Sequence, residues 1–162
     1  MVHFNRRRFT LGGLVLAAMG TSGAKLAAAA DAFEVTHSDQ EWRRLLTPAQ
    51  YDVLRKHKTE RAGSSLLDRE MHAGTFHCAG CELALFSSTT KFDSGTGWPS
   101  FWKPLDNAIG ETKDTTFGMA RTEVHCRRCG GHLGHVFDDG PQPTGLRYCM
   151  NGLALKFVPA TA

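Results

Sequence analysis

The stretch MARTEVHCRRCGGHLGHVF, residues 119–137, decides the fold. Its two ends, Met119–Cys126 and His132–Phe137, read as short strands, and Cys126-x-x-Cys129 followed by two glycines forms the turn between them. A second pair, Cys78-Ala-Gly-Cys81, precedes the first by a gap of 44 residues. Glycine beside such pairs lets the backbone bend sharply enough for two sulfurs to reach one ion. Four thiolates are the commonest closed ligand set for structural zinc, and they leave no coordination position open for chemistry. The ion would clip two distant hairpins together, so its loss should destabilise folding. Two other readings of the same thiols are a pair of disulfides and an iron site; neither pair sits in a thioredoxin-like βαβ context.

Outward from these knuckles the pattern keeps period two. Strands are expected near Thr75–Cys78, Ala84–Phe86, Ile109–Lys113, Leu146–Met150 and Leu153–Val158, separated by Gly, Asp, Asn and Pro. Such spacing argues a mainly β domain built on an antiparallel sheet or barrel. Two short helices open it. Ser38-x-x-Glu41 is a capping box leading into Trp42, Leu45 and Leu46. Thr47-Pro48-Ala49-Gln50 is a second, with Tyr51, Val53 and Leu54 on its buried side. Lys56 to Ser65 reads as a connection over the surface.

The first thirty residues belong to a different grammar. Arg6-Arg7-Arg8-Phe9 is a twin-arginine pattern, an apolar run follows to about Met19, and Ala28-Ala29-Ala30 supplies the small residues of a cleavage site before Asp31. The run is too short to span a bilayer comfortably, which disfavours an uncleaved anchor. An exported, periplasmic protein is expected, with no stable membrane insertion after cleavage. The segment carries Arg6, Arg7, Arg8 and Lys25 and no acid, so the chain's formal +3 becomes −1 for residues 31–162. Nothing in that balance suggests a nucleic-acid partner. The remaining length, about 130 residues, suits one domain with one core. Free thiols are unusual after export, but the twin-arginine route carries folded proteins, so metal could occupy the thiolates first.

The fifth cysteine stands alone. In a strand, Arg147, Cys149 and Asn151 share one face, with Leu146, Tyr148 and Met150 on the other. A guanidinium beside a thiol stabilises the thiolate, the reactive species. A lone cysteine is commonly a small buried hydrophobe; its polar neighbours favour a nucleophile instead. Asn151-Gly152 is also a favoured hairpin turn, so Asn151 is either turn punctuation or a site residue. His132 and His135 would point to opposite faces of a regular strand. A bulge allowed by Gly134 would bring both to one side for acid–base work. The loop FDSGTGWPSF, residues 92–101, presents Trp98 as an apolar wall for a small ligand.

These motifs together (FDSGTGWPSF, the two C-x-x-C pairs, GHLGHVF at 131–137 and RYCMN at 147–151) resemble the B-type methionine sulfoxide reductases, the peptide-methionine (R)-S-oxide reductases. The resemblance runs from about Glu41 to Pro159. It implies two antiparallel sheets forming a barrel-like core, Cys149 as nucleophile, and Cys78, Cys81, Cys126 and Cys129 on a structural zinc. It also implies Trp98 against the substrate methyl, His132, His135, Asn151 and Asp139 around the sulfoxide, and Arg147 supporting the thiolate. Attack on the sulfoxide sulfur needs an acid for the departing oxygen, His135 first and His132 second, and leaves Cys149 as a sulfenic acid. Many relatives carry a resolving cysteine between the two glycines before Trp98; here that residue is Thr96. An external thiol, thioredoxin-like or small, is therefore expected to recycle the enzyme, with oxidised proteins or methionine sulfoxide as substrate. The competing readings are a zinc-stabilised β binding module without catalysis, and a redox switch working through the zinc thiols.

Overall fold

A computed structural model describes residue 1, residues 33–118 and residues 120–161. The signal-peptide reading of residues 1–30, the cut before Asp31 and the expected strand start at Met119 fall outside the described residues. Both helices form as their caps dictate. α1 spans Asp39–Leu45 and α2 spans Pro48–Lys56. In each, the hydroxyl of Ser38 or Thr47 accepts from the third residue's N–H while Glu41 or Gln50 reaches back to the cap. Trp42, Leu46, Tyr51, Val53 and Leu54 are buried, whereas Leu45 turns outward.

Nine strands follow among the described residues: β1 (Gly74–Cys78), β2 (Ala84–Ser87), β3 (Lys91–Phe92), β4 (Ser100–Phe101), β5 (Ile109–Asp114), β6 (Arg121–Cys126), β7 (His132–Phe137), β8 (Arg147–Met150) and β9 (Leu155–Pro159). They make two antiparallel sheets, β2-β1-β9 and β3-β4-β8-β7-β6-β5. Among the described residues the ladders leave each sheet open, so the barrel-like expectation resolves into two facing sheets. The last strand starts two residues later than expected because Gly152–Ala154 forms a single 3₁₀ turn. β3 and β4 were not expected: two residues each, they flank a glycine-rich loop that hides their period.

Aromatic side chains join the sheets. Phe86 of β2 stacks on Phe101 of β4 with centroids 4.3 Å apart, and Phe76 of β1 meets Phe101 edge-on at 4.9 Å. Tyr148 of β8 and Phe157 of β9 close the cluster. α2 lies against β7 and the 152–154 turn, covering the end of the larger sheet. Burying rings of this size supplies much of the apolar driving force of so small a domain. Phe86→Ala should lower the unfolding free energy by about 3–5 kcal/mol, read as a fall in the urea midpoint.

Candidate active site and thiolate centre

Two separate constellations stand out. In the first, Cys78 ends β1, Cys126 ends β6, and Cys81 and Cys129 lie in the turns that follow. All four are unbonded thiols. Cys78 and Cys129 sulfurs lie 3.7 Å apart, Cys81 and Cys126 3.5 Å, and all four lie within 4.8 Å of one another. A tetrahedron with zinc–sulfur bonds of about 2.3 Å has edges of about 3.8 Å, while a disulfide needs about 2 Å. The spacing suits a tetrahedral ion and not a pair of disulfides. Gly80 N–H points at Cys78 Sγ (3.4 Å), and glycine at 131 leaves room for the Cys129 sulfur beside Leu54. Packed this closely the sulfurs compete for protons. Hydrogen bonding to Cys126, aided by burial, holds Cys78 and Cys129 above an ordinary thiol, while Cys126 is drawn below it by its neighbours. A cation at the centre would favour all four thiolates at once.

The second constellation surrounds Cys149. β8 runs between β4 and β7, and Cys149 pairs with Ser100 on one side and His135 on the other. A cleft of about 150 Å³ opens over the sulfur, lined by Thr59, Trp98, Arg121, Gly134, His135, Phe137, Cys149 and Asn151. β7 and β8 approach so closely here that a Cβ at Gly134 would strike the Cys149 carbonyl and the Met150 backbone. As expected for the strand, Tyr148 and Met150 are buried on the opposite face. Arg147 does not point freely at the sulfur. It forks onto Asp139 with two bonds of 2.8 Å and lies over the Phe137 ring at 4.4 Å. Burial pushes the Cys149 thiol above its ordinary value; the Thr96 hydroxyl and the Arg147 charge oppose that rise without cancelling it. Arg147 acts in the expected direction, but burial outweighs it, and Asp139 shares the guanidinium.

Both histidines reach this region. β7 carries a bulge, because His125 opposite His132 is followed by Val124 opposite Gly134, leaving Leu133 unpaired. The extra residue falls one place before the glycine that permits it, and brings the two imidazole centroids to 5.4 Å. Each ring is held by a carboxylate. His135 Nε2 donates to Asp114 Oδ2 (2.8 Å), which Arg121 also reaches at 2.8 Å. His132 Nδ1 donates to Glu123 Oε1 (2.7 Å), and His57 approaches the same oxygen at 2.9 Å. Burial lowers the His135 pKa, and Asp114 partly restores it. Asp114 itself is held well below the carboxylate range by Thr116, His135 and Arg121. His132 is almost fully buried, its Nε2 has no hydrogen-bond partner among the described residues, and it lines an adjoining cavity of about 490 Å³ together with His57, Asp114 and His135. His57, Glu123 and His132 have the composition of a metal site, but separations of 2.7–2.9 Å are those of hydrogen bonds.

Asn151 is not the punctuation of a two-residue hairpin. Its amide nitrogen and its N–H both donate to the Leu133 carbonyl, at 3.0 and 2.8 Å, and its Oδ1 accepts from the Glu60 N–H at 3.0 Å. Glu60, inside the stretch read as a surface connection, is buried. Its carboxylate accepts from Gly152 N–H (2.5 Å) and Leu153 N–H (3.0 Å), and its carbonyl accepts from Trp98 Nε1 (3.2 Å). Burial raises its pKa against those two donors. The structure thus brings Cys149, His135, Trp98 and Asn151 to one cleft, sets His132 beside it, and places Asp139 outside it, on Arg147. Sequence reasoning missed Glu60, Asp114, Arg121 and Glu123. Asp114 and Arg121 are cross-strand partners, and Glu123 lies opposite His135, so pairing β5, β6 and β7 in register was the one available signal.

Fold and cleft define a mainly β domain with a half-buried thiol between an indole and a carboxylate-held imidazole, separate from a four-sulfur knuckle. The SelR domain matches residues 46–159 of the chain. A peptide methionine sulfoxide reductase MsrB of Leptospira interrogans is 53% identical over 126 residues, covering 77% of this chain and 96% of that protein. The MsrB of Pseudomonas putida is 57% identical over 121 residues, 74% and 91% of the two chains, and that of Agrobacterium fabrum 52% over 127, 78% and 94%. The chain belongs to the SelR-domain, or MsrB, family of peptide methionine sulfoxide reductases.

Asp114→Asn should lower the His135 pKa further, since the carboxylate is what holds it up. An imidazole NMR titration would read that downward shift.

Proposed function

We propose that this chain reduces the R epimer of methionine sulfoxide, in proteins and as the free amino acid, with Cys149 as nucleophile. The observation that carries this reading is the cross-strand pairing of Cys149 with His135 in a cleft floored by Trp98. The Cys149 thiolate attacks the sulfoxide sulfur and gains its oxygen; two electrons pass from the cysteine sulfur to the substrate, which leaves as a thioether. The oxygen takes up a proton, for which His135 is the nearer donor and His132 the second, leaving Cys149 as sulfenic acid. Trp98 receives the substrate methyl, Asn151 and Arg121 offer donors at the rim, and Arg147, fixed by Asp139, steadies the thiolate. A binding module would have no use for this arrangement.

The oxidised enzyme returns through an external thiol, thioredoxin-like or small: water leaves as a mixed disulfide forms, and a second thiol releases Cys149. Supporting this, the other cysteines belong to the four-sulfur centre, and Thr96 stands where many relatives carry a resolving thiol. The four-sulfur centre would hold one Zn²⁺ as a structural clip, its coordination filled and its role confined to stability. The twin arginines and Ala28-Ala29-Ala30 support export by the twin-arginine route, with the domain repairing oxidised proteins in the periplasm.

Assayed with separate R and S epimers and dithiothreitol, the protein should turn over R alone, and Cys149→Ser should abolish turnover while keeping fold and one zinc per chain. Mass spectrometry after one turnover without reductant should find sulfenic acid and no internal disulfide. Thr96→Cys should then yield a disulfide to Cys149, because the Thr96 hydroxyl already lies 3.9 Å from that sulfur.

A further inference from the structure

If Cys149 is the nucleophile, its setting poses a problem. Burial disfavours the thiolate, and the surrounding charges are each shared with another partner. On its own strand Arg147 is paired with Asp139. From β7 His135, and from β6 Arg121, both bond Asp114. Beyond the cleft, Glu60 is committed to Gly152 and Leu153, Asp93 accepts from Gly95 N–H, and Lys91 donates to the Asp68 carbonyl. Ser100 and Arg147 also reach the sulfur, but the strongest pull toward the thiolate is that of a hydroxyl, on Thr96.

That hydroxyl heads a chain. Thr96 Oγ1 lies 3.9 Å from Cys149 Sγ and 2.8 Å from Ser94 Oγ; Ser94 Oγ lies 2.7 Å from Ser100 Oγ; and Ser100 Oγ lies 3.0 Å from the Trp98 carbonyl. Ser100 is fully buried, and its backbone pairs with Cys149 across the β4–β8 ladder. The chain has four links and three hydroxyl hydrogens. With Cys149 as a thiol, the S–H supplies the fourth hydrogen and every bond runs outward to the Trp98 carbonyl. With Cys149 as a thiolate, the three hydroxyls can all turn: Ser100 donates to Ser94, Ser94 to Thr96 and Thr96 to the sulfur. The Trp98 carbonyl alone gives up a bond.

We propose that Thr96 is a catalytic residue: its hydroxyl donates to the Cys149 thiolate as the end of a reversible Ser100–Ser94–Thr96 chain, whose reorientation lets a half-buried sulfur ionise. This rests on the reductase reading and extends it to the residue that stands in place of a resolving thiol. The chain serves both halves of the cycle. It favours the attacking thiolate, and it favours the same thiolate when an external thiol attacks the partner sulfur of the mixed disulfide and Cys149 leaves, since a lower leaving-group pKa speeds departure. Of the influences that pull the Cys149 pKa down, the Thr96 hydrogen bond is the largest.

The test is the pH dependence of iodoacetamide alkylation at Cys149, followed by peptide mass spectrometry on the intact, metal-loaded protein. Thr96→Val, which keeps the shape and removes the donor, should raise the alkylation midpoint by about one pH unit, the scale of one charge-assisted hydrogen bond. Thr96→Ser should hold the midpoint near wild type, and Ser94→Ala should raise it by less than Thr96→Val. Turnover of R-sulfoxide by Thr96→Val should fall about tenfold below the midpoint and recover at high pH. An unchanged midpoint in Thr96→Val would overturn the proposal, as would Thr96→Ser shifting as far as Thr96→Val. Wild-type protein that reduced neither epimer would instead sink the reductase reading, and the alkylation profile would still report on the chain.

Discussion

Four sulfurs gathered at the ends of β1 and β6 constrain nearly everything else in this domain. They bring the turn of the small sheet against the turn of the large one, across a sequence gap of 44 residues. The helices fasten to the same point: Arg55 of α2 donates to the Cys129 carbonyl at 3.0 Å, and Trp42 and Leu54 pack beside the knuckle glycines. In a core this small, an ion held there would remove much of the freedom of the unfolded chain, and the aromatic layer between the sheets adds to the hold. Because β6 and β7 leave this knuckle as a hairpin, its position sets where His132, His135 and Glu123 come to lie.

The cleft is a product of strand order. β8 lies between β4 and β7, so one sulfur faces the hydroxyl loop on one side and an imidazole on the other. A single unpaired residue, Leu133, then draws the second imidazole alongside and offers its carbonyl to Asn151. Charge is tightly partnered throughout. Asp139 holds Arg147, Asp114 holds Arg121 and His135, and Glu123 holds His132 and His57. Such pairing fixes the orientation of each group before substrate arrives and tempers the field each exerts on the sulfur.

Much of this was legible in the residues. Both capping boxes formed where Ser38 and Thr47 announced them, and the two C-x-x-C pairs converged as their spacing implied. The alternation of Arg147 to Met150 placed Cys149 on the face away from the core. What escaped reading depends on contacts between segments. β3 and β4 are two-residue strands beside glycines, too short to show a period. Asp114 and Glu123 look like ordinary solvated acids until β5, β6 and β7 are aligned. Glu60 sits in a charged run, where composition argues for exposure and only the Gly152 and Leu153 N–H groups explain its burial. That Arg147 is shared with Asp139 was hidden because Asp139 lies in another turn.

Glu60 has a bearing on the shape of the cleft. Through one residue's backbone and side chain, the indole at one wall, the carboxamide at another and the turn beneath are riveted together. Widening the recess would mean stranding a carboxylate away from water with no donors, an expensive distortion. The opening therefore behaves as a rigid gauge. Its walls are set before any guest arrives, by one buried acid whose four bonds span them.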